Sequence, residues 1–177
     1  MTRFDESTVI ALHQIHLPHA VELLLKVFVR IGDGWIWVGA ALWLFQTLEL
    51  PAFWNVVLEC LTAIAISLLL YWPLKLILRR RRPYHSLPGV TSKVPPLDKY
   101  SFPSGHTMNN MAVALTLAGQ FTTWHTLAVT LAAGIPIMLG ILRVAFGVHF
   151  LTDIAAGALF GVISHLSAQS LFAWWLS

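Results

Sequence analysis

The sequence predicts an all-α membrane protein, a polytopic bundle of five or six transmembrane helices with an N-terminal helix at the membrane interface. Of the 177 residues 57% are hydrophobic, only 11% are charged and eight are tryptophan, which is too apolar for an ordinary soluble domain. The apolar residues also form long segments separated by polar or proline- and glycine-containing stretches. We expect an N-terminal helix and turn over residues 1–34 and one membrane domain over residues 35–177.

The N-terminal segment combines helical spacing with many polar residues. From Ser7 to Arg30, apolar residues recur at roughly helical spacing, with histidines and other polar residues between them. This pattern favours a helix that is broken near Pro18 and lies in the interface, although it also allows a short first span. The histidines in this segment raise the alternative of a metal site. No carboxylate or cysteine joins them at ligand spacing, so a polar interfacial face is the preferred interpretation and no metal is expected.

Five apolar segments are predicted to cross the membrane. They are Trp35–Leu50, Phe53–Leu78, Gly105–Phe121, Trp124–Leu142 and Ile154–Trp175. In the last of them Gly157 and Gly161 are four residues apart, which places both on one helix face and predicts close approach of a neighbouring helix.

Three polar blocks stand at the ends of these spans. They are Lys75–Pro83, Phe102–His106 and Arg143–Asp153. If the spans alternate in direction, all three blocks lie on one face of the membrane, together with Asp33. For Asp33 a turn with a capping aspartate is preferred over a place at the rim of a site. The long segment between the first two blocks contains three prolines, Pro88, Pro95 and Pro96, and is predicted to be a functional loop.

The first two blocks have features that suit an anion. Lys75 and Arg82 are seven residues apart, so a helix places them on one face about 10 Å apart, and their long side chains can converge on one phosphate. Ser104 precedes an apolar run as a helix N-cap does, and the free amides of that helix start favour a phosphate. Gly105 allows the backbone to approach it closely.

The third block supplies a candidate nucleophile. His149 and Asp153 are four residues apart, so the carboxylate can orient the imidazole and leave its other nitrogen free to attack phosphorus. His106 comes from another loop and can protonate the leaving oxygen, as a two-step transfer through phosphohistidine requires. The alternative is an arginine run that anchors the chain at lipid headgroups beside incidental histidines. Because the three blocks occur in order and on one face of the membrane, the catalytic interpretation is preferred.

Composition argues against other functions. Four of the eleven basic residues form the single run Arg79–Arg82, and no basic stripe interleaved with aromatic residues appears elsewhere, so we expect no nucleic-acid partner. Cys60 is the only cysteine and lies in an apolar run, which argues against a cysteine-dependent phosphatase. The eight acidic residues are scattered, which argues against a two-metal site.

The three blocks resemble the type 2 phosphatidic acid phosphatase (PAP2) family, whose pattern is Lys-x6-Arg-Pro, Pro-Ser-Gly-His and Ser-Arg-x5-His-x3-Asp. The matching residues are Lys75, Arg82, Pro83, Pro103, Ser104, Gly105, His106, Arg143, His149 and Asp153. Leu142 stands where the family usually has serine, which puts one hydrogen bond of the phosphate pocket in doubt.

The resemblance implies a role for each matching residue. His149 would be the nucleophile, Asp153 its partner and His106 the general acid. The phosphate would be bound by Lys75, Arg82, Ser104, the Gly105 amide and Arg143. No metal and no cofactor would be required.

The resemblance also implies a lipid phosphate in the bilayer as substrate. Undecaprenyl pyrophosphate is favoured by analogy, and phosphatidylglycerol phosphate, phosphatidate and lipid A remain open. The expected location is the bacterial inner membrane with the site on the periplasmic face, although the positive-inside rule favours the cytoplasmic face. Two rival hypotheses are a lipid-phosphate binding or transport protein without turnover and a vanadate-dependent peroxidase. The oligomeric state is not predicted.

Overall fold

A computed structural model of the chain describes residues 3–121 and 125–175. Within these ranges the chain forms eight helices and no strand. They are α1 (Arg3–His13), α2 (His19–Ile31), α3 (Trp35–Thr47), α4 (Leu50–Leu78), α5 (Pro83–Ser86), α6 (Gly105–Ala118), α7 (His125–Ala145) and α8 (Leu151–Trp175). The predicted all-α membrane bundle is confirmed.

The number of spans differs from the prediction of five or six. By length and composition, three of the described segments can cross a membrane: Leu50–Ser86, Thr126–Ala145 and Leu151–Trp175. Helices α2 and α3 are bent by 60° at a short break, and together they give a fourth candidate if the pair is one broken span. Helices α3 and α6 have only 13 and 14 residues, fewer than the ~20 that a straight span needs.

Helix α6 forms the centre of the bundle, packed against α4, α7 and α8. Ten of its 14 residues are buried. A Cβ at Gly157 would lie 2.7 Å from the carbonyl oxygen of Ser104, and one at Gly161 would lie 2.6 Å from that of Met108. The predicted role of the two α8 glycines in close helix approach is therefore confirmed.

The N-terminal segment is broken as predicted, with α1 ending at His13 and α2 starting directly after Pro18. Helix α1 packs against the bundle through Val9, which is fully buried in one cluster with Phe150 and Ile154. The two ring nitrogens of His13 lie 2.9 Å from the Ala145 carbonyl oxygen and 3.2 Å from a backbone amide. Among the described residues no three His, Cys, Asp or Glu side chains form a group that could hold a metal ion, so the metal alternative gains no support.

The loop after α4 joins the first polar block to the third. Arg79, with φ 46°, ends α4 in the left-handed conformation. The Tyr84 amide then donates to the Gly147 carbonyl at 3.2 Å, and the Lys93 amide donates to the Phe146 carbonyl at 3.1 Å. These bonds hold the loop against the connection between α7 and α8, which carries His149.

Candidate active site

The three polar blocks meet around one cavity of about 370 Å³. Five of the eight predicted site residues line it: Arg82, Gly105, His106, Arg143 and His149. The other three, Lys75, Ser104 and Asp153, are buried behind the lining residues. Residues from α4, α6, α7 and their connecting loops therefore converge on one cavity.

His149 and Asp153 lie together at the start of α8, and both are almost completely buried. Asp153 Oδ2 accepts the Phe150 amide at 2.8 Å and lies 3.4 Å from His149 Nδ1. The other ring nitrogen, Nε2, lies 3.3 Å from Arg82 Nη1. The four-residue spacing thus presents one imidazole nitrogen to the carboxylate and the other to a cation that lines the cavity.

The electrostatic surroundings keep His149 neutral. Burial lowers the pKa of His149 well below its ordinary value, and the positive charges of Arg82, Arg143 and Lys75 act in the same direction. A neutral imidazole has a free lone pair at neutral pH, which a nucleophile needs.

Two guanidinium groups are buried at the cavity wall. Arg82 is 1% exposed and donates through Nη1 to the Val148 carbonyl at 2.8 Å. Arg143 is 2% exposed, and its Nη1 lies 3.0 Å from His106 Nε2. Arg143 Nε is buried and has no hydrogen-bond acceptor in the described part of the chain. Two buried cations beside one cavity favour an anionic ligand that accepts hydrogen bonds from both.

The start of α6 has the predicted cap. Ser104 is the N-cap residue, and its hydroxyl accepts the Thr107 amide at 3.4 Å, a long and therefore weak bond. Gly105 has a packing role in addition to the one predicted, because a Cβ there would lie 2.7 Å from the ring of Tyr71.

Asp98, a site residue that was not predicted from the sequence, binds both cations of the first block. Its carboxylate pairs with Lys75 Nζ at 2.7 Å and with Arg82 Nη2 at 2.8 Å, and it accepts the Tyr71 hydroxyl. Burial alone raises the pKa of Asp98, but hydrogen bonds from Lys75 and Tyr71 and the nearby positive charges lower it to about 2. The only signals in the sequence were its place in the proline-rich loop and the excess of cations nearby.

The structure contradicts the prediction that Asp33 caps the helix that follows it. Gly34, not Asp33, precedes α3, and that position makes no side-chain cap. The Asp33 carboxylate instead contacts His106 Nε2, and it also lies 3.2 Å from Arg30 Nη1 and 3.8 Å from Arg143 Nη1. The capping interpretation was wrong, and the alternative place at the rim of the site describes the residue.

Leu142 lies in an apolar environment, whereas the serine that the family usually has at this position was expected to reach the phosphate pocket. Its side chain packs against a hydrophobic cluster that includes Val29, Leu139 and Val148. It is not among the residues that line the cavity. A hydroxyl group at this position would therefore replace apolar packing.

Residues 56–176 match the sequence profile of the PAP2 superfamily. The chain is 31% identical over 160 residues to the putative undecaprenyl-diphosphatase YbjG of Escherichia coli, covering 88% of this chain and 77% of YbjG. It is 34% identical over 96 residues to the bacitracin transport permease protein BcrC of Bacillus licheniformis, covering 53% of this chain and 42% of BcrC. The match thus spans less than half of BcrC.

Two solved structures have the same fold. Aquifex aeolicus LpxE superposes with a TM-score of 0.79 over 96% of both chains at 22% identity. The PAP2-type phosphatidylglycerolphosphate phosphatase of Bacillus subtilis superposes with a TM-score of 0.74, over 95% of this chain and 84% of that one, also at 22% identity.

Proposed function

The chain belongs to the PAP2 superfamily, and from this premise we propose that it is a membrane lipid phosphatase that works through a phosphohistidine intermediate. The observation that carries the proposal is the arrangement of two histidines at one cavity. His149 and His106 come from separate elements, and both line the cavity with the two buried arginines. One histidine can therefore attack phosphorus while the other serves the leaving group.

In the first step, His149 Nε2 forms a bond to phosphorus as the bond from phosphorus to the lipid oxygen breaks. His106 gives its proton to that oxygen, so the lipid leaves as an alcohol, or as a monophosphate if the substrate is a pyrophosphate. The phosphorylated imidazole becomes positively charged, and the Asp153 carboxylate, 3.4 Å from Nδ1, stabilises this charge. Burial lowers the pKa of His106, the Asp33 carboxylate beside it acts in the opposite direction and favours the protonated acid, and the adjoining Arg143 lowers the pKa further.

In the second step, His106 takes a proton from a water molecule, whose oxygen attacks phosphorus as the bond from phosphorus to His149 Nε2 breaks, and inorganic phosphate is released. Arg82, Arg143, the Gly105 amide and Ser104 would bind the phosphate oxygens and their developing charge. Lys75 already donates to Asp98 and Tyr71. We therefore expect Lys75 to act mainly through its positive charge.

An apolar groove beside the cavity supports a lipid substrate. Trp37 lines both the cavity and the groove, and its Nε1 donates to Asn110 at 2.7 Å. The groove lies between α3, α6 and α7 and is lined otherwise by aliphatic and aromatic side chains, among them Leu117, Phe121 and Leu131. A phosphate in the cavity would leave the attached hydrocarbon chain at this groove.

Undecaprenyl pyrophosphate is the substrate that we favour. YbjG is named as a putative undecaprenyl-diphosphatase, and its similarity extends over 88% of the chain. One apolar groove beside the cavity suits one polyprenyl chain. Phosphatidylglycerol phosphate, phosphatidate and lipid A are the other candidates. We place the protein in the bacterial inner membrane with its site at the periplasmic face, by similarity to bacterial members.

The alternative is a lipid-phosphate binding or transport protein without turnover, and the name of BcrC as a transport permease is what favours it. Such a protein would use the same cations to hold the phosphate. It would have no need of His149 as a nucleophile.

Phosphate release by the detergent-purified protein tests the proposal. Undecaprenyl pyrophosphate, phosphatidylglycerol phosphate and phosphatidate are compared in the presence of EDTA, and the fastest identifies the substrate class. His149→Ala should abolish release, and His16→Ala, at an exposed histidine, should leave it unchanged. Undiminished release by His149→Ala would overturn the mechanism, and binding without release by the wild-type chain would favour the alternative.

A further inference from the structure

Asp5 is a buried acidic residue that the mechanism above does not use. It lies in the first turn of α1 and is 1% exposed. Its Oδ1 accepts the Thr152 amide at 3.1 Å, and its Oδ2 accepts the Thr152 hydroxyl at 2.7 Å. Asp5 therefore caps the start of α8 from a helix that lies 147 residues earlier in the chain.

Arg80 joins Asp5 to the nucleophile's partner. Its Nη2 pairs with Asp5 Oδ2 at 2.8 Å, and its Nη1 pairs with Asp153 Oδ1 at 2.7 Å. Nη1 also lies 2.6 Å from the Thr152 hydroxyl, and the guanidinium lies 4.2 Å from the centre of the Phe150 ring. Because both ends of the guanidinium are paired and its face is covered, Arg80 has little freedom to turn.

Helix α1 contacts both ends of the segment that carries His149. Near its C-terminus, His13 Nδ1 lies 2.9 Å from the carbonyl oxygen of Ala145, the last residue of α7. Near its N-terminus, Asp5 holds Thr152 in the first turn of α8. Between these two points Val9 is fully buried against Phe150. The helix thus fixes the connection from Ala145 to Thr152 from outside.

We propose that Asp5 and Arg80 are positioning residues for the phosphoryl transfer, acting through Asp153. Asp153 has two oxygens: Arg80 holds Oδ1, and this leaves Oδ2 to face His149 Nδ1. Asp5 in turn holds Arg80. Neither residue lines the cavity, and Asp5 lies outside the residues matched to the family profile. The expected effect of these two residues on kcat rests on the proposed function.

The charges give the arrangement a second effect. Asp5, Arg80 and Asp153 together carry one net negative charge, so the group can stabilise the positive imidazole of the phosphohistidine. If Asp5 were neutral, the positive charge of Arg80 would offset the negative charge of Asp153. The stabilisation of the positive phosphohistidine would then weaken. If Arg80 were neutral, two buried carboxylates would face each other without a cation between them.

Steady-state kinetics of Asp5→Asn test the proposal. We expect kcat to fall about 10- to 100-fold, as is common for residues that orient a reacting group from behind. KM and the inhibition constant of inorganic phosphate should stay within about two-fold, because the cations that bind phosphate are untouched. Arg80→Gln should lower kcat at least as much, and Arg80→Lys should recover part of it by restoring the charge.

Controls separate positioning from folding. Glu6→Gln removes a neighbouring charge that makes no hydrogen bond or ion pair within the described residues, and kcat should not change. Val9→Ala weakens the packing of α1 without touching the charges, so it should lower the unfolding temperature and should lower kcat less than Asp5→Asn does. The double variant Asp5→Asn with Arg80→Gln should be no slower than Arg80→Gln alone, because the two residues act in series.

Amide hydrogen exchange gives a readout that needs no turnover. The Phe150 amide donates to Asp153 Oδ2, so Asp5→Asn should increase its exchange more than Val9→Ala does. Unchanged Phe150 exchange, or a kcat of Asp5→Asn within two-fold of wild type, would overturn the inference. A wild-type chain that releases no phosphate would defeat the proposed function, and the exchange result would still decide whether Asp5 positions Asp153.

Discussion

Replacing Asp98 with asparagine should destabilise the protein by about 2–3 kcal/mol at neutral pH. The change keeps the size of the side chain and removes the charge between Lys75 and Arg82, which are each 1% exposed. Breaking a fully buried ion pair costs about 3–5 kcal/mol. The expected value is smaller because the Asp98 side chain is 20% exposed, and water screens part of the interaction.

The pKa of Asp98 leads to a similar magnitude. It falls from an ordinary 3.8 to about 2 in the folded protein, and at about 1.4 kcal/mol per pKa unit this corresponds to about 2.5 kcal/mol. The folded-state pKa lies below the unfolded one, so the stabilisation is complete well above pH 4 and is lost as the pH falls towards 2. The difference between wild type and Asp98→Asn should therefore be complete at pH 7 and roughly halved at pH 3.

Unfolding followed by tryptophan fluorescence in detergent and phosphate-free buffer measures this difference. Inorganic phosphate should raise the unfolding temperature of Asp98→Asn more than that of wild type, because the variant leaves two cations without their carboxylate. Glu49→Gln, at an exposed carboxylate, is the control and should match wild type. Equal stability of Asp98→Asn and wild type at pH 7, or a difference that is the same at pH 7 and pH 3, would refute the reasoning.

Three further substitutions test the packing and the acid. Gly161→Ala should lower the free energy of unfolding by about 1–3 kcal/mol, because its methyl group would press on the α6 backbone. Gly134→Ala, where a Cβ would meet nothing within 4 Å, should not lower it. Asp33→Asn should slow the hydrolysis of a lipid phosphate by about ten-fold. It should slow the hydrolysis of p-nitrophenyl phosphate much less, because nitrophenolate leaves without needing a proton from His106. Equal slowing of both substrates would contradict a role of Asp33 in supporting the acid His106. Leu142→Ser should lower stability by about 2 kcal/mol, since apolar packing is lost, and leave KM unchanged; a lower KM would show that the serine reaches the phosphate.

Two local arrangements of the site could be predicted from the sequence, whereas the prediction that one helix aligns Lys75 with Arg82 was wrong, because α4 ends at Leu78. His149 and Asp153 are one helical turn apart, and Ser104 stands directly before its helix, so their relative positions follow from helix geometry. The approach of α6 to α8 follows in the same way from two small residues on one face. Each of these correct predictions needed only residues within four positions of each other.

Span number could not be predicted in the same way. Hydropathy shows that a segment is apolar, but it does not distinguish lipid from protein as the surroundings. Helix α6 is apolar because other helices enclose it, and at 14 residues it is too short for a straight span. The 60° bend between α2 and α3 depends on tertiary packing, although the glycines around Asp33 marked the break.

Asp5 and Asp98 were not identified from the sequence because their partners are distant in the chain. All four aspartates of the sequence contact the site or its supports, and all four glutamates lie elsewhere. The four are Asp5, Asp33, Asp98 and Asp153. A shorter side chain has fewer rotamers, so it loses less entropy when it holds a buried cation in one geometry.

This distribution of charge has a consequence for the bound anion. Asp98 pairs with Lys75 and Arg82, and Asp33 lies beside His106 and near Arg143. The cations of the site are therefore largely balanced before phosphate enters, as burial in a membrane protein requires. Affinity for phosphate must then come from the fixed directions of the hydrogen-bond donors more than from net positive charge. A balanced site also lets the product phosphate leave after each turnover, because no excess of buried cations remains to retain it.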